Sequence, residues 1–445
     1  MTQYDLIVKG GTIITLDNDL SILENGIVAV NGDRIEALLP HPEEGRIQAK
    51  EVIDARGGLV LPGLINAHTH AAMSLFRGLA DDLPLMDWLN YYIFPAEKNM
   101  DSDFVYIGSL LACAEMILSG TTTFCDMYLF ENSVAQAAGR AGMRALVGEV
   151  LYDFDSPNYG SIENGFSYTE GLILKWADDP LVSVAVMPHS TFTCSPDLLV
   201  KANELALKHH VPLVIHLAET QAEVREVVER YGKRPAEHLK DLGILGPHCL
   251  AAHCIHLNEN EIDLLADKDV KIAHNPESNM KLASGVAPIP EMIDRNLAVG
   301  LGTDGCASNN NLDMFGEMDT AAKLHKIVMM DTTAADAITV LKMATINGAR
   351  ALGMEHLIGT LEPGKKADII VVDTRSPHLT PLYNPYSQLV YAAMGSDVTT
   401  SIIDGKVVMK DKKLRTLDPE EIMEKAREKS FQVKKWISMG GKQQD

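Results

Sequence analysis

Two histidines one residue apart, His68 and His70, close the run PGLINAHTH that begins at Pro62. Alternate side chains of a strand share a face, so both imidazoles can reach one metal ion while Thr69 turns away. Further groups of the same chemistry stand at the ends of later apolar runs: His189 after Pro188, then His216, His253, His274, and Asp304 in GLGTDG. Imidazole nitrogens with a carboxylate suit zinc or iron, and three or four such ligands leave room for water. His253 reads as a site residue more than a direct ligand, His274 stays open between site and scaffold, and His256 is expected to face away from the site. Glu219 follows His216 by three residues in HLAET. A carboxylate there can take a proton from an activated water and hand it to a substrate. Its alternative role is a solvated acid favoured by the dipole of a helix expected over residues 220–231. A metal would supply a hydroxide equivalent near neutral pH, and Asp304 or His253 would orient it.

These residues need elements to hold them. Residues 6–9, 27–30, 34–39 and 52–54 read as short strands, broken by Gly10-Gly11, Asn25-Gly26 and Asn31-Gly32. Matching strands return at 369–373, 400–403 and 407–409, so one small β-sandwich is expected from both termini (residues 1–61 with 363–420). Between them strand and helix alternate, the pattern of parallel β/α units. Eight strands can be counted, at 64–67, 121–125, 144–148, 182–187, 213–216, 250–252, 271–274 and 298–302. Eight strands close a (β/α)8 TIM barrel, here over residues 62–362, and bring their carboxyl ends to one mouth. A doubly wound open sheet is the competing architecture, but it would want a glycine-rich phosphate loop where His68 and His70 stand. Ser195 and Pro196 mark the start of one helix, and Gly120 the end of another. The tail, residues 421–445, reads as a charged surface helix starting near Pro419.

Composition bounds the class. The chain has 445 residues, 46% hydrophobic, enough for a large core. Its six cysteines are scattered without a C-x-x-C pair, and read as buried free thiols of a reducing, cytoplasmic compartment. A formal net charge of −22 repels a polyanion, which argues against nucleic acid as a partner but leaves free nucleosides open. No leader pattern and no apolar run long enough to span a bilayer is seen, so no membrane partner is expected.

The strings PGLINAHTHAAMSLFRGLADDLPLMDWL, HLAET, HNPESNMKLASG, LGTDGCASNNNLDM and IGTLEPGKKADIIVVD together resemble the amidohydrolase superfamily, specifically its 5-methylthioadenosine/S-adenosylhomocysteine deaminases. The resemblance runs from Leu6 to about Met409. It implies a (β/α)8 barrel with a β-sandwich, a homo-oligomer, and a single divalent metal per subunit, with zinc first among the candidates. The family's ligands fall on His68, His70, His216 and Asp304, its proton shuttle on Glu219, and its water-orienting histidine on His253. Binuclear relatives carry a modified lysine at the fourth strand's end, where this chain has Pro188-His189, so one ion is expected. Glu97 matches the glutamate that takes the ribose hydroxyls, His189 the histidine that contacts the purine, and Trp88 and Met86 could wall the thioether end. Relatives that use S-adenosylhomocysteine hold its carboxylate with arginines after the third strand. Here no arginine stands between Arg144 and Arg225, and Asp153 and Asp155 occupy that loop. Hydrolytic deamination of methylthioadenosine or adenosine is therefore expected ahead of S-adenosylhomocysteine. The alternatives are an amidohydrolase of another ring, such as a guanine or cytosine deaminase or a triazine chlorohydrolase, and a non-catalytic binding protein.

Overall fold

The computed structural model describes residues 2–40, 47–83 and 89–440. The amino-terminal strands are β1 (Thr2–Ile14), β2 (Ile22–Asn31), β3 (Arg34–Leu39), β4 (Ile47–Asp54) and β5 (Leu59–Pro62). Nine strands of the central region follow: β6 (Leu64–Thr69), β7 (Thr121–Tyr128), β8 (Arg144–Leu151), β9 (Val182–Val184), β10 (Met187–Pro188), β11 (Leu213–Leu217), β12 (Cys249–His253), β13 (Lys271–His274) and β14 (Val299–Leu301). The chain returns with β15 (Ile369–Val372), β16 (Val398–Ile403), β17 (Lys406–Lys410) and β18 (Lys413–Leu414).

Both ends of the chain meet in one nine-stranded sheet, ordered β18-β17-β16-β15-β5-β1-β2-β3, with β4 also paired to β1. Its seam is the antiparallel β5–β15 pair, where Leu61 lies opposite Ile370. Alternation sorts the side chains: Leu6 and Val8 of β1 join one apolar cluster, while Ile7 joins Ile27 and Ala29 in another. A buried ion cluster ties this sheet to the central region. Arg144, the first residue of β8, bonds both Asp368 oxygens at 2.9 and 3.1 Å and Asp404 at 3.3 Å.

The central strands are parallel and almost wholly buried, as expected where helices cover a sheet. They form two ladders, β10-β8-β7-β6 with β9 on β8, and β11-β12-β13-β14. Isolated bridges, Val186 to Leu213 and Ser190 to His216, join them on one flank. On the other flank the Asp304 N–H donates to the His68 carbonyl at 3.0 Å, and Thr303 N–H to Asn66 Oδ1 at 3.1 Å. Gly302 permits that approach, since a Cβ there would sit 2.8 Å from the His68 backbone nitrogen and oxygen. The expected fourth strand is split into β9 and β10, because Val186 leaves the β8 ladder to pair with β11.

Two helix ends fall where their caps put them. Ser195 caps Pro196–His209 through its side chain, and Ser102–Leu118 ends just before Gly120. The carboxyl-terminal helix Pro419–Gly440 is more than a surface helix: Val433 is buried, Trp436 meets Phe104 at 5.2 Å, and Lys429 pairs with Asp103. Its apolar positions are spaced to give one docked face, which its high charge density hides from a composition reading. All six cysteines are buried and free, and among the described residues no helix is long and apolar enough to cross a membrane.

Candidate active site

His68, on β6, is 0% exposed, and neither of its ring nitrogens has a hydrogen-bond partner. A buried imidazole with two orphaned nitrogens is costly unless another electrophile meets it. What surrounds it is a set of metal-ligand atoms. Donor atoms of His68, His70 and Asp304 lie within 4.8 Å of one another, and so do those of His68, His216 and His253. The neighbours are oriented for the same purpose. His70 Nδ1–H donates to the Met127 carbonyl and His216 Nδ1–H to the His189 carbonyl at 2.8 Å, and because a carbonyl only accepts, Nε2 is in each ring the nitrogen left facing inward. Asp304 Oδ2 accepts from Ser278 Oγ at 2.6 Å and Ser308 Oγ at 2.8 Å, while Oδ1 lies 3.1 Å from His70 Nε2 and 3.8 Å from His68 Nε2. The donor set therefore fits a divalent cation of zinc type. Burial, with the neighbouring imidazoles, pulls His68 and His216 well below the ordinary histidine range, which keeps them neutral and able to ligate. For His70 burial pulls down, but the Asp304 carboxylate prevails and raises it to about 9.

Backbone strain collects at the same strand ends. His253, Cys254 and Asp304 have φ of 69°, 51° and 59°, left-handed values that non-glycine residues adopt at a cost of about 1–3 kcal/mol each. Ala218, between His216 and Glu219, has φ of 50°. This turn is held by Glu223, whose carboxylate accepts from the Ala218 and Glu219 N–H groups at 3.1 and 2.8 Å and from Thr191 Oγ1 at 3.0 Å. Glu219 is thereby set beside the cluster, just before the helix Gln221–Tyr231. Burial first, and the Asp304 charge, raise its pKa, against the pull of His253. A carboxyl group raised this way is a proton donor at a higher pH than an ordinary glutamate. His253 Nδ1–H donates to Asn279 Oδ1, 2.9 Å away.

Glu97 lies at the end of the helical turn Phe94–Glu97 and accepts from the Tyr128 hydroxyl at 2.8 Å. Tyr128 ends β7 and its ring stands 5.8 Å from that of His70, so Glu97 borders the same mouth. Burial raises Glu97 to about 7. The His189 ring stands 4.9 Å from that of His216, tilted by 51°, with its Nδ1 at 2.8 Å from Thr193 Oγ1, and burial lowers it to about 4. Trp88 and Met86 lie outside the described residues. His274 faces His325, Nε2 to Nε2 at 3.1 Å, and is scaffold-like in its contacts. His256 is half-buried, with Nε2 donating to the Ser284 carbonyl at 2.7 Å.

Ser278, Asn279, Ser308, Glu223 and Tyr128 are the residues that reading the strand ends passes over. Ser278 and Asn279 lie inside the string HNPESNMKLASG, and Ser308 inside LGTDGCASNNNLDM, so their segments carried a signal although their own roles did not. Tyr128 and Glu223 had none beyond their proximity to a strand end.

This arrangement of buried histidines, an aspartate and a glutamate of raised pKa at the ends of parallel strands is that of a metal-binding hydrolase. The chain belongs to the amidohydrolase family, whose profile matches residues 59–408. Within it the chain is 58% identical to the 5-methylthioadenosine/S-adenosylhomocysteine deaminase of Syntrophobacter fumaroxidans, over 96% of this chain and 98% of that one. It is 46% identical to the 5'-deoxyadenosine deaminase of Methanosarcina mazei, over 95% and 96% of the two chains. A solved adenosine deaminase from Xanthomonas campestris, with bound zinc, superposes with a TM-score of 0.96 at 39% identity, covering 98% of this chain and 99% of its own.

Proposed function

We propose that this protein is a hydrolytic deaminase that converts 5'-methylthioadenosine, and with it adenosine, to the inosine derivative and ammonia, with S-adenosylhomocysteine a poorer substrate. The observation that carries the reading is the wholly buried, doubly orphaned His68 among His70, His216 and Asp304, with Glu219 beside them. In this reading His68, His70, His216 and Asp304 hold one Zn2+ per subunit. When bound, the ion acts as a Lewis acid that makes water a nucleophile near neutral pH.

The chain's own groups do the rest. Glu97 accepts the hydroxyl protons of the ribose and His189 meets the purine, which brings the amine-bearing carbon toward Glu219. Glu219 protonates the ring nitrogen next to that carbon, while water held by His253 and Asp304 adds to it and gives its proton to Glu219. The carbon becomes tetrahedral. Glu219 then passes a proton to the amine, the carbon–nitrogen bond breaks and ammonia leaves with the bonding pair, and the hydroxyl left on the carbon gives its proton to the Glu219 carboxylate as the carbonyl forms, which restores the starting acid. Residues 62–362 act as one (β/α)8 barrel, residues 1–61 with 363–420 as a β-sandwich, and 421–445 as a carboxyl-terminal helix and tail. We place the protein in the cytoplasm as a homo-oligomer, acting on a free nucleoside rather than on nucleic acid or a membrane.

The test is ammonia release by the zinc-loaded protein from methylthioadenosine, 5'-deoxyadenosine, adenosine and S-adenosylhomocysteine, with the product identified by mass. Release from none of the four would overturn the proposal.

A further inference from the structure

Asn279 and Ser278 are neighbours on the short helix Pro276–Lys281, and each reaches a different working group: Ser278 Oγ donates to Asp304 Oδ2 at 2.6 Å, and Asn279 Oδ1 lies 2.9 Å from His253 Nδ1. The helix is anchored from behind. Glu277 takes Thr320 Oγ1 at 2.9 Å and Asn311 Nδ2 at 3.0 Å on its carboxylate, and its N–H donates to Glu317 Oε2 at 3.2 Å. A buried histidine can be neutral in two forms, with the proton on either nitrogen, and which form exists is set by the partner of the outward nitrogen.

We propose that Asn279 is the positioning residue that fixes His253 with its proton on Nδ1, leaving Nε2 as a lone pair facing the site; this rests on the deaminase reading above for the role of that lone pair. Three observations converge. An amide oxygen only accepts, so at 2.9 Å it calls for an Nδ1–H. The competing donor, Asn275 Nδ2, is farther from the same nitrogen, at 3.3 Å. His253 shares a cluster with His68 and His216, and with Nδ1 at Asn279 it is Nε2 that is left for that cluster, where an N–H aimed at a cation would be repelled and a lone pair attracted. His253 is 1% exposed, so bulk water does not compete with Asn279 for Nδ1.

The experiment compares Asn279→Asp, which keeps an acceptor, with Asn279→Leu, which removes it. Zinc-loaded proteins labelled with 15N-histidine report the tautomer directly, with the His253 signals identified by their loss in His253→Asn. Expected are an Nδ1–H form in the unaltered protein and in Asn279→Asp, and loss of that single form in Asn279→Leu. With methylthioadenosine, kcat should fall by about 10–100-fold in Asn279→Leu with zinc content and KM little changed, and stay far closer to normal in Asn279→Asp. An Nε2–H signal in the unaltered protein overturns the assignment, as does an Asn279→Asp enzyme as slow as Asn279→Leu. If Asn279→Leu does not fold, the unaltered protein's spectrum decides alone. Failure of the deaminase reading shows separately, as no ammonia from the unaltered protein, and leaves the spectral result standing.

Discussion

The Ser278 hydroxyl donates to Asp304 Oδ2 across 2.6 Å, and by occupying that oxygen, together with Ser308, it leaves Oδ1 as the one turned to His70 and His68. A ligand carboxylate with one oxygen held is preorganised, which lowers the cost of coordination.

Removing that hydroxyl should loosen the metal. Ser278→Ala is expected to weaken zinc by about 10–100-fold, the usual effect of an outer partner. Competition with a chromogenic chelator measures it, and an affinity equal to that of the unaltered protein would argue that Ser308 alone suffices.

Glu219 and His68 should separate chemistry from metal binding. Glu219→Gln keeps the ligands and removes the proton carrier, so zinc content should stay at the normal level while kcat falls by about 10²–10⁴-fold. His68→Ala should lose both. Near-normal ammonia release from Glu219→Gln would refute the shuttle role.

Substrate affinity should depend on pH through Glu97, which burial raises to about 7. The ionised carboxylate is the form that accepts two hydroxyl protons. Below that value it is protonated and above it charged, so KM for methylthioadenosine should fall as pH rises from 6 to 8. Glu97→Gln should have a higher KM that is flat over the same range. An equally steep profile in Glu97→Gln would assign the dependence to another group.

The loop after β8 should disfavour a substrate carboxylate. Asp153 is held there by the Ser195 N–H and hydroxyl, and Phe154 stacks on Tyr152 at 3.8 Å. An apolar thioether end placed at this loop would meet an aromatic face, whereas an amino-acid tail would meet an acid without an arginine to bind it bidentately. Turnover measured as kcat/KM should rank methylthioadenosine and adenosine above S-adenosylhomocysteine, and the reverse order would contradict this reading of the loop.

Arg144→Ala should destabilise the fold without touching the site. It leaves the Asp368 and Asp404 carboxylates buried and short of their cation, a loss of about 3–5 kcal/mol for a broken buried pair. Chemical denaturation reads it, and an unchanged midpoint would mean that Lys366, 2.8 Å from Asp404, compensates.

Much of this was legible in the sequence because it is local. Strand periodicity, strand–helix alternation and caps such as Ser195-Pro196 act over a few residues, so β6, β7, β8 and β11 to β14 begin within a residue of where the pattern puts them, and the ligand types at their ends can be read by eye. What only the tertiary structure decided is the state of those ligands. Which nitrogen of His70 and His216 turns inward is set by carbonyls 57 and 27 residues away, and the free oxygen of Asp304 and the proton of His253 are set from one helix, 26 residues distant in each case. No periodicity encodes such pairs: a hydrogen bond depends on angstrom-scale placement of groups from different elements, and that placement exists only once the strands have packed.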